Sequence, residues 1–267
     1  MFSMIRRVLM LPTLCTGGLV YAADPLPTGR LRAVCLATNP VQARVDRAIG
    51  ETHGPAAELA EAIARELRVP LALRAVPGTS VVSAEVKTGR ADIVFLAFDP
   101  LRAQEVDFSQ TYLLAHNSYA VNSDSPIRRV ADADRAGVRI GVGAADAADL
   151  FLTRTLRQAE LRRYSTASLP DALGGVERGE IEAYGANRTR LLDALDSRPG
   201  LRLLEDNFLS VRQAVIVARG NVVLLEAVNR VIVVARAAGL IADAIELAGL
   251  RGVDPAPAPR VEAEPAP

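Results

Sequence analysis

Short apolar runs alternate along this chain with stretches whose apolar positions recur every three or four residues. The alternation begins at Leu31, where Leu31 to Ala37 suits a buried strand. Gly54-Pro55 then opens a helix, with Pro55 in the first turn, where a missing N–H costs nothing. Leu59, Ile63 and Leu67 form its apolar stripe, which Ala56, Ala60 and Ala64 widen. Glu58 and Glu61 near its start and Arg65 and Arg68 near its end suit the helix dipole. Pro70 stops it. Leu71 to Val76 reads as a second strand, Val81 to Lys87 as a helix ended by Gly89, and Asp92 to Phe98 as a third strand of the buried parallel kind.

The pattern then restarts. Asn117 to Asn122, Val138 to Val142, Leu161 to Tyr164 and Ile181 to Gly185 read as strands. Asp146 to Gln158, Pro170 to Arg178 and Ala186 to Ser197 read as helices, and Gly200 comes after the last. Ala214 to Ala218 is a further strand. Asn221 to Ala238 is a long helix with Leu225, Val228 and Ile232 on one face and Gly239 as its terminator, and Leu240 to Leu247 is a last helix. Repeated β-α-β units predict an α/β fold of open, mostly parallel sheets with helices on both faces. Such sheets bind ligands beyond the carboxyl ends of their strands. The loops after Ala37, Phe98, Val142 and Gly185 are therefore the places to look for chemistry. Asp254 to Pro267 is Pro-Ala alternation with scattered charge, and is expected to be a disordered tail.

Composition narrows the function classes. Arg6 and Arg7 precede a mostly apolar Val8 to Val20, broken by Pro12 and Gly17-Gly18, and Val20-Tyr21-Ala22 offers a small-residue cleavage site. This is the pattern of a secretory signal peptide over residues 1–22, cut after Ala22. The stretch is well short of the roughly 20 residues that span a bilayer. Leu14, before Cys15, is too bulky for a lipoprotein box. Removing the leader takes away two arginines and no acid from a chain of 31 basic and 31 acidic residues. The near-neutral balance gives no reason to expect a nucleic-acid partner. Only Cys35 then remains, read as a small buried hydrophobe, so packing rather than a disulfide must stabilise the fold. With 50% hydrophobic residues the chain can bury a large core, divided between two domains. His53 and His116 lie far apart without spaced carboxylates or thiols, so no metal is expected. Motifs for phosphate cradling, serine hydrolysis and zinc proteolysis are missing, and no cofactor is expected.

Four stretches in order carry a family resemblance: Leu31-Arg32-Ala33-Val34; Gly54 to Val69 with Glu58-Leu59-Ala60; Asp99-Pro100-Leu101-Arg102 running through Phe108-Ser109; and Ala214 to Gly220 followed by Leu225-Glu226-Ala227-Val228-Asn229 and Ala238-Gly239. From about Leu31 to Val253 the chain resembles family 3 extracellular solute-binding proteins, the amino-acid-binding components of ABC transporters. The third stretch is the most specific. The resemblance implies a two-lobed, type II periplasmic-binding-protein-like fold: two mostly parallel sheets flanked by helices and joined by a double-strand hinge. Lobe one would be about 24–114 plus 214–253 and lobe two about 115–213, closing on a ligand between them. It also implies a monomer in the periplasm that passes its solute to an inner-membrane ABC permease.

The same resemblance assigns the ligand's carboxylate to Arg102, whose planar guanidinium offers paired donors to such a group. Read without the family, Arg102 would be a solvated arginine on a helix surface. Ala97 and Asp99 beside it, and Asn39 in the first loop, are further candidates. Thr38-Asn39-Pro40 stands where the family has a stacking aromatic, and the chain has no Trp. In the second lobe, Gly143-Ala144-Ala145-Asp146 puts Asp146 where the family has a hydroxyl, as a ligand contact or simply a helix N-cap. Asn187 falls where the family's acid meets an ammonium, which points to a divergent branch. Tyr184 either lines the cleft or packs in the core. The expected function is capture of a small carboxylate-bearing solute, an amino acid or related organic acid. The alternatives are a cyclohexadienyl-dehydratase-like enzyme on the same fold and a sensory protein that presents its ligand.

Overall fold

The computed structural model describes residues 26–36, 39, 41–45, 52–76, 79–165 and 168–258. The expected leader, Thr38, Pro40 and the last part of the expected tail lie outside these residues. In chain order the first part runs β1 (Leu31–Leu36), β2 (Arg44–Val45), β3 (Thr52–His53), α1 (Pro55–Leu67), β4 (Leu71–Val76), α2 (Thr79–Lys87), β5 (Ile93–Ala97), a 3-10 turn at Arg102–Gln104, β6 (Val106–Phe108) and β7 (Leu113–Asn122). The second continues with a 3-10 turn at Val130–Ala133, β8 (Arg139–Gly143), α3 (Ala147–Thr155), β9 (Glu160–Tyr164), α4 (Leu169–Glu177), β10 (Ala183–Asn187), α5 (Arg188–Leu195) and β11 (Leu201–Leu203). The chain ends with β12 (Leu209–Ala218), α6 (Val222–Ala237), α7 (Leu240–Leu247) and β13 (Val253–Pro255).

The fold is the two-lobed α/β type. Two half-sheets are each flanked by helices and by a hydrophobic core on either face. In the first half, β4, β1 and β5 are parallel; in the second, β10, β8 and β9 are parallel. One pair of cores draws its residues from the ends of the chain: Leu59, Ile63, Phe95 and Val228 in one, Val34, Val82 and Ile216 in the other. The other pair draws from the middle: Val121, Ile140 and Leu152, and Leu173, Ile181 and Leu191. The halves meet where β7 and β12, each ten residues long, pair antiparallel between Leu113–Asn117 and Leu209–Gln213. Beyond that ladder β12 joins β5 and β7 joins β10, so a single strand order, β4-β1-β5-β12-β7-β10-β8-β9, runs through both halves. The sequence predicts these strands only from Asn117 and Ala214 onward. Their missing starts carry His116, Ser210 and Arg212, polar residues that break an apolar run yet belong to the joining ladder.

The amino ends of both half-sheets are clamped alike. Arg32 donates through Nε and Nη2 to Asp92 at 3.1 and 2.6 Å, and through Nη1 to the Gly89 carbonyl at 2.7 Å. Arg139 donates likewise through Nε and Nη2 to Glu182, at 3.1 and 2.5 Å, and through Nη2 to the Gly179 carbonyl at 2.8 Å. Each acid also accepts its arginine's backbone N–H. Both glycines have positive φ, +68° and +71°, which lets the chain turn from helix into strand.

The expected tail is corrected at its start. Val253–Pro255 pairs with Leu113–Ala115 of β7, and Val253 and Ala256 are buried. Two small apolar side chains with an extended backbone are enough to seal the open edge of the ladder, and Pro255 is tolerated because it lies on an outer strand. Cys35 is buried in β1 as expected, and burial pushes its thiol up to about 11.

Candidate functional site

The carboxyl ends of the parallel strands hold the residues that the sequence picks out. In the first half β5 ends at Ala97, and Asp99 organises the turn beyond it: its Oδ1 accepts the backbone N–H of Leu101 and of Arg102, both at 3.0 Å. These bonds hold the backbone that leads into the 3-10 turn, and the Arg102 side chain runs back toward the strand end. There Nη1 donates to the Ala97 carbonyl at 3.3 Å. Arg102 is half-buried, and among the described residues no carboxylate lies within ion-pair distance of it. Asn39 turns the chain after β1, accepting the Val41 N–H through Oδ1 at 3.3 Å. Behind it, buried Gln42 donates to Gln213 Oε1 on β12 at 2.9 Å, a polar pair that the sequence pattern does not announce.

In the second half the acceptors are engaged by helices. Asp146 caps α3 by accepting the Asp149 N–H at 2.9 Å. Burial raises its carboxyl above the ordinary range, against the backbone hydrogen bonds and the positive charge of Arg190, which lower it. Ala145 before it has φ of +60°, the left-handed region that a non-glycine residue rarely adopts, and its N–H donates to Asp149. Asn187 caps α5, accepting from Thr189 N at 3.0 Å and Arg190 N at 3.4 Å. Tyr184 is 1% exposed and packs edge-to-face on Tyr164 at 6.1 Å, so it is a core residue rather than a cleft lining. The pleat explains the correction: Tyr184 and Ala186 both turn toward the core beneath α4 and α5. Burial pushes its hydroxyl up to about 12.

Contacts also cross from the first half to α5 of the second. Arg44, in the segment after β1, lies 3.6 Å from Asp193 on α5, the helix that follows β10. Arg251, before β13, reaches Asp193 at 3.2 Å and Asp196 at 2.8 Å, and its carbonyl accepts the Thr189 hydroxyl at 2.5 Å. Gly252 completes the contact with φ of +75°; a Cβ there would fall 2.3 Å from Cβ of Arg188. The segment after β1 and the segment before β13 are thus both joined to α5. Among the described residues no hydrogen bond or ion pair joins Arg102 to Asp146 or Asn187 directly. His116 is structural, bonding Ser210 and Asp254 at 2.8 Å each, and His53 lies exposed in β3. Among the described residues no three His, Cys, Asp or Glu side chains gather as a metal site.

Sequence reasoning also misses a basic cavity of about 530 Å³ beside the joining strands, walled by Phe98, Phe108, Leu114 and two arginines, Arg212 and Arg236. The signal that could have found it is Arg212-Gln213, which interrupts an otherwise apolar strand.

Comparison with known proteins agrees with this architecture. Residues 33–246 match the model of the bacterial extracellular solute-binding proteins, family 3. No curated protein matches the chain significantly. Among solved structures, an amino acid ABC transporter substrate-binding protein, AbpA from Streptococcus pneumoniae, bound to L-arginine, is 23% identical. It covers 82% of this chain and 94% of its own, with a TM-score of 0.62. The substrate-binding protein of another amino acid ABC transporter is 24% identical, with coverage of 82% and 98% and a TM-score of 0.61. The ancestral amino acid-binding protein AncCDT-1, a precursor of cyclohexadienyl dehydratase, is 22% identical, with coverage of 82% and 94% and a TM-score of 0.63. At these identities the structures speak for the fold, and the family match extends over most of the chain. The chain belongs to the bacterial extracellular solute-binding proteins of family 3.

Proposed function

We propose that the chain captures a small carboxylate-bearing solute, an amino acid or a related organic acid, and delivers it to an inner-membrane ABC permease. Residues 24–114 plus 214–253 form one lobe and 115–213 the other, exported by the leader at 1–22 and working as a monomer in the periplasm. The observation that carries this reading is Arg102. It is held at the end of β5 by the Asp99 turn, half-buried, and among the described residues its side chain bonds only the Ala97 carbonyl. A guanidinium so placed is preorganised for a carboxylate, and a charge-assisted pair there is about twice as strong as a neutral hydrogen bond. Asn39 and Asp99 shape the same rim. Asp146 and Asn187 face it from the second lobe, where Asp146 supplies the negative charge that an ammonium would meet.

Calorimetric titration of refolded, ligand-free protein with amino acids, keto acids and aromatic acids tests the proposal. Saturable binding of a carboxylate that Arg102→Ala weakens by about tenfold or more is the expected result; undiminished affinity in that variant overturns the anchor. The raised carboxyl of Asp146 favours a second reading, a dehydratase-like acid catalyst, since perturbed carboxyl groups gather at catalytic sites. Recovery of the bound ligand chemically unchanged after prolonged incubation rejects that reading for the ligand concerned.

A further inference from the structure

The cavity beside the joining strands lies on the far side of β12 from the Gln42–Gln213 pair. Along β12 the pleat sends Gln213, Val215 and Val217 to one face, where the two valines join the core under α1 and α6. Arg212, Ala214 and Ile216 face the other way, and Arg212 and Ala214 line the cavity. None of Asn39, Asp99, Arg102, Asp146 or Asn187 lines it.

Its charge is one-sided. Among the described residues, the only ionisable ones in the wall are Arg212 and Arg236, and neither meets a carboxylate there. Arg236 reaches in from α6. Its Nη1 and Nη2 share the amide oxygen of Gln110 at 3.2 and 3.3 Å, Nη2 also donates to the Thr111 carbonyl at 2.8 Å, and its buried Nε has no partner among the described residues. Burial without a counter-ion disfavours the charged form, and the guanidinium is held below its usual range for that reason. Arg212 is oriented differently, with its guanidinium carbon 4.0 Å from the centre of the Phe98 ring. Phe98 in turn packs edge-to-face on Phe108 at 5.0 Å. One arginine is thus held over an aromatic wall and the other by neutral oxygens alone, two long bonds to an amide and one to a backbone carbonyl, in a cavity whose volume suits a small molecule.

We propose that this cavity is a second binding site, for a small organic anion with an apolar or aromatic body. Its carboxylate replaces the Gln110 amide on Arg236 and draws on Arg212, while the body lies against Phe98, Phe108 and Leu114. The exchange is favourable because a carboxylate supplies the counter-charge that the neutral amide oxygen lacks.

Benzoate is the probe, benzamide its neutral isostere, and calorimetry of the full chain the readout. The expected result is one saturable benzoate site that persists in Arg102→Gln and does not accept benzamide. Arg236→Gln should weaken it by about tenfold or more, the ratio for losing one charge-assisted pair. Arg212→Gln, on an exposed side chain, should weaken it several-fold without affecting folding, and decides the matter if Arg236→Gln melts early. The proposal is overturned if benzoate does not bind, if benzamide binds equally well, or if binding vanishes in Arg102→Gln while surviving in both cavity variants. Because the persistence of the site in Arg102→Gln is scored separately, failure here leaves the interlobe anchor standing, and the reverse also holds.

Discussion

The two half-sheets are built alike at their amino ends and differ at their carboxyl ends. Arg32–Asp92 and Arg139–Glu182 are the same clamp: an arginine opening one strand grips the acid that opens its neighbour and the carbonyl of a left-handed glycine between them. At the opposite ends the likeness stops. Among the described residues the first half presents Arg102 without a carboxylate, whereas the second presents Asp146 and Asn187, each occupied in capping a helix. Helix N-termini need acceptors, so an Asp or Asn there is already explained by the fold. No comparable structural need consumes the guanidinium of Arg102. The clamped ends therefore answer for stability, and the recognition proposed above is assigned to the unmatched end.

The strongest way to break the comparison is to remove the more buried clamp. Arg32→Ala strands Asp92, whose side chain is only 4% exposed, and should cost about 3 kcal/mol of stability by denaturant unfolding while ligand affinity is kept. Arg102→Ala should do the reverse. It is expected to lose about 1.5–3 kcal/mol of carboxylate binding by titration, with unfolding changed by less than about 0.5 kcal/mol. Next comes Asn187→Ala, which removes a cap and should cost about 1 kcal/mol in the same unfolding assay. A much larger loss of affinity than of stability would show that Asn187 is a ligand contact first.

The smallest effect concerns Asp146. Burial favours its protonated form in the fold, so the stability it contributes is present below the ordinary carboxylate range and is lost as pH rises through its raised value. Asp146→Asn keeps the capping oxygen and removes the charge. Its melting temperature should exceed that of the parent by a small margin that widens as pH climbs through that window, as calorimetric scans across the acidic range would record. A margin independent of pH would separate Asp146 from the titration.

Much of the fold is legible in the sequence because its periodicities are local. The stripe of Leu59, Ile63 and Leu67 and the apolar run of Ile93 to Ala97 announce their elements without help from the rest of the chain. The joining ladder is legible only in part. His116, Ser210 and Arg212 are polar positions inside strands, and what tolerates them are partners nearly a hundred residues away or in β13. β13 itself is hidden for the same reason: Val253 and Ala256 have little apolar bulk, and only the waiting edge of β7 makes a strand of them. At the site, Arg102 stands out through its motif, while Gln42, Arg190 and Arg236 do not. Each acts through a contact across the sequence that no spacing rule encodes.

The joining ladder also bears on biosynthesis. Every partner of the middle segment's cores emerges from the ribosome before Leu209, so that half can complete while the first still lacks β12, α6 and α7. The first half is a discontinuous unit whose central strand is made late, and its nascent β5 must wait with an unpaired edge. A chaperone that shields the Ile93–Ala97 strand during that interval would raise the yield of native protein more than one acting on the middle segment.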